Sequence, residues 1–542
     1  MLPHVLSRHP WLRPAVGVVA VFVALVTWAL SSAVGSSPDE DFHLGSVWCG
    51  QGLRDGVCEA GTDPTTRQVP TSIVNTPCYA FKPEDSAACQ GDRLTEPDGA
   101  MELTNRGNFT GDYPPVYYWT LSHLVGPDVE RSVVAMRVLA AFVVVLVSTA
   151  VAALVSTGQR RGLVLAMLVC AVPYGTFFVG SINPSGWTLY AAALLMVATV
   201  GFLTARERWR TYATAAVAVP ALLLAAGSRA DGALYAALGV VVAVVIAGRV
   251  GRPDLPRLAY AALLAAVAGW SFLSAGQSSA VEAQSGEPFS LLRLSRVLLQ
   301  VPSLWVGSFG TWNLGWLDTA MPAVVWVAAL ACFFGCVFAA LTGLGRRRGL
   351  ALALVALAVA VVPSYIQYIA DAPVGEQVQS RYVFPLVVLL AATAMTRTTG
   401  AAFVLSVTQR WLVVGALAVA NAVALHVNLA RYLTGDDNLS LNPDTAREWW
   451  WNTSVTPLTV WLVGSAAFAV ALWALTAELR TPAPADEVLG ERPAVAVPAA
   501  DGTAEDGTTA EDGTTTAGGT TPAGGSATGR PVEPSVRTSP AS

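Results

Sequence analysis

Residues 15–34 have the sequence AVGVVAVFVALVTWALSSAV, a run of twenty residues without a charged side chain. About 20 apolar residues in an α-helix cross the hydrocarbon core of a bilayer. Inside that core each backbone polar group must be satisfied within the segment, which favours a helix. A secretory signal peptide is the alternative, because residues 1–14 are short and basic. Since the run is long and a clear small-x-small cleavage site is lacking before Pro38, we predict a retained first transmembrane helix, with residues 1–14 in the cytoplasm.

Apolar runs of similar length recur along the chain, which predicts an all-α integral membrane protein of about twelve transmembrane helices. The 542 residues are 54% hydrophobic and 13% charged, whereas soluble domains carry about 25% charged residues. The eleven further runs cover approximately 132–156, 162–180, 187–204, 211–227, 233–248, 258–275, 320–342, 350–370, 383–396, 411–430 and 456–477.

The arginines follow the positive-inside rule. With residues 1–14 in the cytoplasm and the runs alternating, each predicted cytoplasmic connection is basic, for example at 160–161 and 346–348. We therefore predict a multi-pass protein of the cell membrane with both termini in the cytoplasm. Residues 35–131 then form a large extracytoplasmic loop domain, called the first loop below, and residues 132–480 form the multi-pass domain.

Two further segments have distinctive compositions. Residues 481–542 repeat Asp, Gly, Thr, Ala and Glu and hold nine acidic and three basic residues, which predicts a disordered acidic cytoplasmic tail. Residues 287–317 combine leucines, arginines and tryptophans, which predicts an amphipathic helix on the outer leaflet. Outside the tail the charges nearly balance, so no basic surface for nucleic acid is expected.

Four of the seven cysteines fall in the first loop. In an oxidising compartment four cysteines indicate two disulfides, and three pairings are possible. A four-thiolate zinc site is the alternative, but the loop has no C-x2-C pair, so we favour disulfides. The loop cysteines are Cys49, Cys58, Cys78 and Cys89, whereas Cys170, Cys332 and Cys336 lie in apolar runs and are expected to be packing residues.

An acidic cluster follows the first predicted helix and comprises Asp39, Glu40 and Asp41, with His43 close behind. Carboxylates at the membrane surface are costly unless they are solvated, paired or bound to a cation. Such a group can act as a general base or help to bind a divalent cation. A solvated helix terminus is the alternative, but negative charge at a helix C-terminus opposes the macrodipole. We therefore favour a functional role.

Aromatic and turn residues on the same predicted side are further candidates. Tyr113 and Tyr117 belong to the segment GDYPPVYYW at 111–119, and they could line the path of a lipid-linked or sugar substrate. Anchoring at the interface explains them equally well. Asn183 lies in the turn SINPSG at 181–186, and turn chemistry alone accounts for that composition.

Two arginine-containing segments complete the set of candidates. Arg229 and Asp231 lie in one predicted outer turn, where they could simply pair with each other; Gln379, Arg381 and Tyr382 precede another helix. The planar guanidinium suits bidentate contacts to phosphate, so Arg229 and Arg381 are candidates for binding a lipid phosphate. A snorkelling arginine that anchors its helix is the alternative.

Together these motifs resemble a bacterial family of multi-pass membrane proteins, a domain of unknown function of the 2142 type that is placed in the GT-C glycosyltransferase superfamily. The resemblance covers roughly 15–477 and lies in four motifs. They are Pro38, Asp39, Glu40 and His43; Tyr113 to Tyr118; Asn183 to Gly186; and Gln379, Arg381, Tyr382 and Pro385.

The resemblance implies a GT-C-like fold and a membrane glycosyltransferase. Such an enzyme takes a sugar from a polyprenyl-phosphate donor and transfers it to a cell-envelope glycan or lipid acceptor on the extracytoplasmic face. The resemblance implies that Asp39 or Glu40 is the catalytic residue. It would act as the base or as a ligand of a divalent cation, Mg²⁺ or Mn²⁺, and the resemblance leaves open whether a metal binds. The motif departs from the family pattern at Asp41, which leaves the choice of carboxylate open too.

Two other functional classes are compatible with many helices and polar outer ends. A transporter or lipid flippase would carry charges near the middle of its helices, and the predicted helix interiors are nearly free of charge. A non-catalytic membrane scaffold could recruit partners through the acidic tail, but it would leave the acidic cluster without a role. We therefore favour the transferase.

Overall fold

The computed structural model describes residues 11–74, 76–94, 100–276, 289–370, 374–375, 378–398, 402–438 and 440–480. The predicted tail at 481–542 lies outside the described residues, as do residues 1–10 and the beginning of the predicted amphipathic segment. All described residues belong to one compact unit.

Most of the described residues are helical. The α-helices are, in chain order, α1 (Leu12–Leu30), α2 (Glu40–Trp48), α3 (Val116–Ser122), α4 (Val129–Leu154), α5 (Thr157–Val169), α6 (Thr176–Val179), α7 (Ser185–Thr204), α8 (Arg208–Ala226), α9 (Ala230–Ala247), α10 (Leu255–Ser274), α11 (Leu291–Gln300), α12 (Pro302–Val306), α13 (Ala323–Ala340), α14 (Arg346–Ala370), α15 (Ser380–Met395), α16 (Val407–Leu433) and α17 (Pro457–Leu475).

The all-α membrane fold predicted from the sequence is confirmed. Within the described residues ten helices are long and apolar enough to cross a bilayer: α1, α4, α7, α8, α9, α10, α13, α14, α16 and α17. An eleventh candidate consists of α5 and the segment 171–179, which meet at an angle of 89°. By this length criterion the described residues give ten or eleven spans, close to the predicted number of about twelve, because α15, with 16 residues, falls just short of it.

Small residues allow the central helices to approach one another closely. The apolar part of α7 is completely buried, and α15 is buried along nearly its whole length. On α9, a Cβ atom at Gly232 would lie 2.7 Å from the carbonyl oxygen of Ala225, and one at Gly239 would lie 2.8 Å from that of Ala192. Close approach of this kind is how helices associate without a hydrophobic driving force.

The first loop is a small structure of its own, with three strands and two disulfides. Its antiparallel strands β1 (Glu59–Ala60), β2 (Arg67–Pro70) and β3 (Met101–Thr104) pair in the order β1-β2-β3. Disulfides join Cys49 to Cys58 and Cys78 to Cys89. The disulfide prediction is confirmed, and the zinc alternative is wrong because all four sulfur atoms are bonded in pairs.

Arg431, at the end of α16, ties the first loop to the helix bundle. It donates to the carbonyl oxygens of Tyr79 and Asp85 at 2.8 and 2.5 Å, and to the carboxylate of Asp318 at 2.8 Å. A buried guanidinium is stable only when its donors are satisfied in this way. The loop is therefore fixed over the ends of the helices.

Residues 291–300 of the predicted amphipathic segment form a helix, but the prediction is wrong for the end of the segment, because the short helix α12 follows and residues 312–317 are not helical. Leu291, Leu292 and Leu299 on α11 are 74%, 70% and 83% exposed. Exposed leucines on a helix beside a membrane bundle fit a position at the bilayer surface. The leaflet in which α11 lies stays a prediction.

Candidate functional site

Asp39 lies in the short connection between α1 and α2, where the chain leaves the bundle for the first loop. Its φ of 62° is in the left-handed region, which non-glycine residues adopt rarely and which is often found at functional sites. Its side chain is 40% exposed. Of the three carboxylates in the acidic cluster, Asp39 is the most accessible from outside the protein.

Arg381, the second residue of α15, holds this carboxylate. Its Nη2 donates to Oδ2 of Asp39 at 2.6 Å and to the hydroxyl of Tyr382 at 2.9 Å, and its Nη1 donates to the carbonyl oxygen of Pro38 at 3.1 Å. The Arg381 side chain is only 2% exposed. The central helix α15 therefore presents a buried cation directly behind a half-exposed carboxylate.

Arg229 brings a second guanidinium to the same place. It forms a bidentate pair with Asp231 at 2.9 and 3.0 Å. Its guanidinium lies 4.6 Å from the ring centroid of Tyr382, and that of Arg381 lies 4.9 Å from the same centroid. The ring centroid of Tyr113 also lies near the Arg229 guanidinium, at 5.7 Å. Aromatic faces stabilise cations by their quadrupole, so Tyr382 allows two arginines to lie side by side.

Arg106 reaches this group of residues from the first loop. It forms a bidentate pair with Asp41 at 2.8 and 2.9 Å and approaches Asp39 to 3.6 Å. Together these residues form what we call the Asp39 cluster. Its members are Asp39, Asp41, His43, Arg106, Tyr113, Arg229, Asp231, Arg381 and Tyr382.

The charges of the Asp39 cluster balance, with three guanidinium and three carboxylate groups. Burial raises the pKa of Asp39, but the charge of Arg381, its hydrogen bond and the charge of Arg106 outweigh it, so that the pKa is lowered overall. Asp39 is therefore ionised at neutral pH. Its salt bridge with Arg381 lowers its basicity for as long as the bridge holds.

His43 is fully buried in the wall of the cluster. Burial lowers its pKa to about 3, so the ring is neutral at physiological pH. Its Nδ1 and the hydroxyl of Tyr118 form a hydrogen bond of 2.9 Å, and its ring lies edge-on to that of Tyr113 at 5.6 Å. His43 thus serves as a neutral hydrogen-bonding group that positions two tyrosines.

Glu40 points away from Asp39 and into the protein. Its side chain has no exposed surface, and its Oε1 accepts from Nη2 of Arg137 at 2.8 Å. Its Oε2 accepts from the backbone N–H of Ser37, also at 2.8 Å. Neither oxygen of Glu40 is available to a substrate, so the two adjacent carboxylates have different environments.

Arg137 explains why the chain turns sharply after α1. This completely buried residue of α4 donates to the carbonyl oxygens of Ala29, Ser32 and Ala33 at 3.0, 2.6 and 2.7 Å. The last carbonyl groups of a helix have no partner within the helix. Arg137 satisfies one of them, at Ala29, and also the carbonyl groups of Ser32 and Ala33 just beyond the helix. Because it binds Glu40 as well, it fixes the backbone on which Asp39 sits.

The remaining predicted site residues lie at different distances from the cluster. Asn183 donates to the carbonyl oxygen of Pro38 at 2.9 Å and so supports the turn that contains Asp39. Tyr117 is buried against Trp187, with ring centroids 5.0 Å apart. Gln379 immediately precedes α15 and is half-buried. Glu376 and Gln377 of the same motif lie outside the described residues.

Two contributors, Arg106 and Arg137, are not among the residues predicted from the sequence, and Tyr118 is predicted only as part of the motif Tyr113 to Tyr118. Arg137 is the one charge in an otherwise apolar run, and that contrast could have marked it. Tyr118 rather than Tyr117 meets His43. Adjacent helical residues face directions about 100° apart, so the sequence alone could not show which tyrosine points inward.

The donor atoms around Asp39 do not suit a divalent cation. Mg²⁺ and Mn²⁺ prefer several oxygen ligands, mostly carboxylates. Among the described residues no group of three or more His, Cys, Asp or Glu side chains could hold a metal ion. Asp39 itself is flanked by two guanidinium groups, which would repel one.

The helices, the disulfide-bonded first loop and the buried charge cluster at the helix ends define a polytopic integral membrane protein. The chain belongs to the DUF2142 family of predicted membrane proteins, whose model matches residues 22–390. The match includes every member of the Asp39 cluster and ends within α15. No curated protein and no solved structure matches the chain significantly.

Proposed function

We propose that the chain is a glycosyltransferase that moves a sugar from a polyprenyl-phosphate donor to a cell-envelope glycan or lipid acceptor on the extracytoplasmic face. The observation that carries this proposal is the contact of the half-exposed Asp39 with Arg381, beside a second arginine. A carboxylate that can accept a proton and two guanidiniums that can bind a phosphate are the groups this reaction requires.

In the proposed reaction the acceptor hydroxyl oxygen attacks the anomeric carbon of the donor sugar, and Asp39 takes the hydroxyl proton. The bond between the anomeric carbon and the phosphate oxygen breaks, and its electron pair stays on the departing polyprenyl phosphate. Arg381 and Arg229 stabilise the negative charge that develops on that oxygen. Glu40 has no part in proton transfer, since Arg137 and Ser37 occupy its oxygens.

The salt bridge between Asp39 and Arg381 suggests how the base is activated. A donor phosphate competes with Asp39 for Arg381, so donor binding weakens the pair. Asp39 then loses the interaction that lowers its pKa and becomes a stronger base. The carboxylate would thus gain basicity only when a donor is present.

Two parts of the proposal rest on sequence rather than on the cluster. The extracytoplasmic orientation follows from the positive-inside distribution of arginines, and the polyprenyl nature of the donor follows from the GT-C resemblance. No step above depends on a divalent cation, and removal of divalent cations tests the Mg²⁺ or Mn²⁺ that the resemblance implies.

Transfer to an endogenous acceptor tests the proposal directly. Membranes containing the full chain would be supplied with a panel of radiolabelled polyprenyl-phosphate sugars. We expect Asp39→Asn to abolish transfer of the accepted sugar while the protein still inserts. Asp55→Asn, which changes an exposed carboxylate of the same loop, is the matched control and should retain full activity. Unchanged transfer by Asp39→Asn would overturn the assignment.

A transporter or lipid flippase is the principal alternative function. A transport site would need a charge within the membrane, and Arg137 is the candidate for that charge. Arg137 donates hydrogen bonds to protein groups at the end of α1 and in the chain that leads from there to Glu40, which fits an anchor better than a transport site. Donor flipping by purified protein in liposomes, without sugar transfer, would favour the rival. A scaffold would instead lose its function when residues 481–542 are deleted.

A further inference from the structure

A cleft in the first loop adjoins the Asp39 cluster. Its volume is about 380 Å³, within the usual range for a bound small molecule. It is lined by residues of α2, of β2 and the turn after it, and of β3 and the two residues that follow. Asp41 and Arg106 belong both to this lining and to the Asp39 cluster. The cleft and the cluster therefore meet at these two residues.

The sheet of the first loop turns the side chain of Glu102 towards the cleft. Glu102 on β3 lies directly opposite Val69 on β2, and residues opposite each other point to the same face of a sheet. Val69 is completely buried, so this is the inner face, and Glu102 on it is half-buried. No described residue forms an ion pair or a side-chain hydrogen bond with the carboxylate of Glu102 or with the carboxamide of Asn105. Both groups of the lining are therefore free to bind a ligand.

The two oxygens of Asp39 face different neighbours. Its Oδ2 accepts from Arg381 at 2.6 Å, whereas the closest approach of Arg106 is to Oδ1, at 3.6 Å. Arg106 is itself paired with Asp41, so it forms a neutral wall between the cleft and Asp39 rather than a free cation. A hydroxyl group that came from the cleft would therefore approach Oδ1, while a donor phosphate is bound on the Arg381 side.

We propose that this cleft binds the acceptor of the proposed transferase, and that the acceptor is a neutral saccharide rather than a lipid. Every lining residue belongs to the first loop, and none belongs to a candidate membrane span, whereas an acyl chain is most stable within the hydrocarbon core. The inference rests on the proposed transferase for the fate of the bound saccharide, but its binding can be measured separately.

The chemistry of the lining fits sugar hydroxyl groups. The carboxylate of Glu102 can accept from two neighbouring hydroxyls, and the carboxamide of Asn105 can both donate and accept. Asp41 and Arg106 neutralise each other, so Glu102 gives the lining a net negative charge. Saccharides that carry phosphate or uronate groups are therefore disfavoured by like-charge repulsion.

The test uses the full-length protein in detergent, titrated with short neutral or short acidic oligosaccharides released from the host cell envelope, and binding is followed by saturation-transfer NMR. We expect the neutral fraction to bind and the acidic fraction not to bind. Glu102→Gln should weaken binding of the neutral fraction about tenfold, the effect of losing one charge-assisted hydrogen bond. Glu84→Gln changes an exposed carboxylate of the same loop outside the cleft and should bind like the wild type.

A second pair of variants tests the cleft itself. Asn105→Trp places a large ring at an exposed position of the lining and should abolish binding, whereas Gln51→Trp, at an exposed position of the same loop outside the cleft, should not. The proposal is overturned if neither fraction binds, if only the acidic fraction binds, or if Glu102→Gln or Asn105→Trp binds like the wild type. If Asn105→Trp does not fold, the tenfold effect of Glu102→Gln alone decides.

Failure of the transferase and failure of the acceptor site give different results. Asp39→Asn should lose transfer and still bind neutral oligosaccharides. Binding that depends on Glu102 in a protein that transfers no sugar would support the saccharide site and contradict the reaction. Transfer of radiolabelled sugar to the lipid extract of the same cells, with none to delipidated neutral oligosaccharides, would support the reaction and overturn the saccharide acceptor.

Discussion

Arg381 and Asp39 are 342 residues apart in the chain, yet their side chains meet at 2.6 Å. The contact joins the central helix α15 to the turn after α1. Both residues are also held by neighbours, Arg381 by Tyr382 and Asp39 by the backbone that Asn183 and Arg381 support through Pro38. A phosphate that bound Arg381 would therefore change the electrostatic environment of Asp39 without moving the backbone.

The pH dependence of transfer should differ between the free enzyme and the donor complex. In the free enzyme the pKa of Asp39 lies below its ordinary value of 3.8, so the base is ionised above that pH and its activity is lost only as the pH falls through the lowered pKa. The free enzyme determines the profile of kcat/KM, and the complex determines that of kcat. We expect the acidic limb of kcat to lie at higher pH than that of kcat/KM.

Arg381→Gln provides the control for this effect. Without the guanidinium, the pKa of Asp39 in the free enzyme should rise, and the acidic limb of kcat/KM should move towards that of kcat. Identical limbs in the wild type, or an Arg381→Gln profile that does not move, would contradict activation of Asp39 by the donor.

Tyr382 should contribute to donor binding through its ring more than through its hydroxyl. A cation–π contact at a desolvated site contributes about 2 kcal/mol, and Tyr382 makes two. We expect Tyr382→Leu to weaken binding of polyprenyl phosphate by about 2–3 kcal/mol and Tyr382→Phe by about 1 kcal/mol, measured by calorimetry. Tyr365→Leu, which changes an exposed tyrosine of α14, should have no effect. Equal losses for both Tyr382 variants would point to the hydroxyl instead.

Much of the fold could be predicted because a membrane helix is recognisable in the sequence as a long apolar run. Each of the twelve apolar runs coincides with a helix or with the bent pair at 157–179. α15 is apolar but, with 16 residues, shorter than the length criterion for a span, and it is surrounded by other helices. Hydropathy indicates that such a run is a helix but does not indicate whether lipid or other helices surround it, since both surroundings are apolar.

Apart from Arg106, the residues of the Asp39 cluster could be predicted by type and as lying at one end of the helices, but not by pairing. The sequence indicates Asp39 because carboxylates at the membrane surface are costly unless they are used, and it indicates Arg229 and Arg381 because guanidinium groups suit phosphate. Their mutual distances depend on how α1, α9 and α15 pack against one another, and no local sequence pattern indicates that packing. The different environments of Asp39 and Glu40 depend on Arg137, a residue of another helix.

Removal of divalent cations should leave transfer unchanged. Asp39 is paired with Arg381 and approached by Arg106, and Glu40 is already bound by Arg137. These contacts leave neither carboxylate free to coordinate Mg²⁺ or Mn²⁺. Transfer measured in excess EDTA should equal transfer in 5 mM Mg²⁺ to within about twofold, a difference of only about 0.4 kcal/mol. A loss that Mg²⁺ or Mn²⁺ restores would show that a cation binds after all and that the cluster rearranges around it.

Arg137 should be far more important for stability than any other arginine of α4. Removing one partner of a buried ion pair leaves the other charge uncompensated and costs about 3–5 kcal/mol, and the carbonyl groups of Ala29, Ser32 and Ala33 lose this donor as well. We therefore expect Arg137→Met to lower the free energy of unfolding in mixed micelles by at least about 3 kcal/mol. Arg131→Met removes an 88% exposed side chain of the same helix from a surface ion pair and should cost less than about 1 kcal/mol. Adding Glu40→Gln to Arg137→Met should recover part of the loss, because the unpaired carboxylate is then neutral; purely additive losses would mean that the pair does not act as a unit.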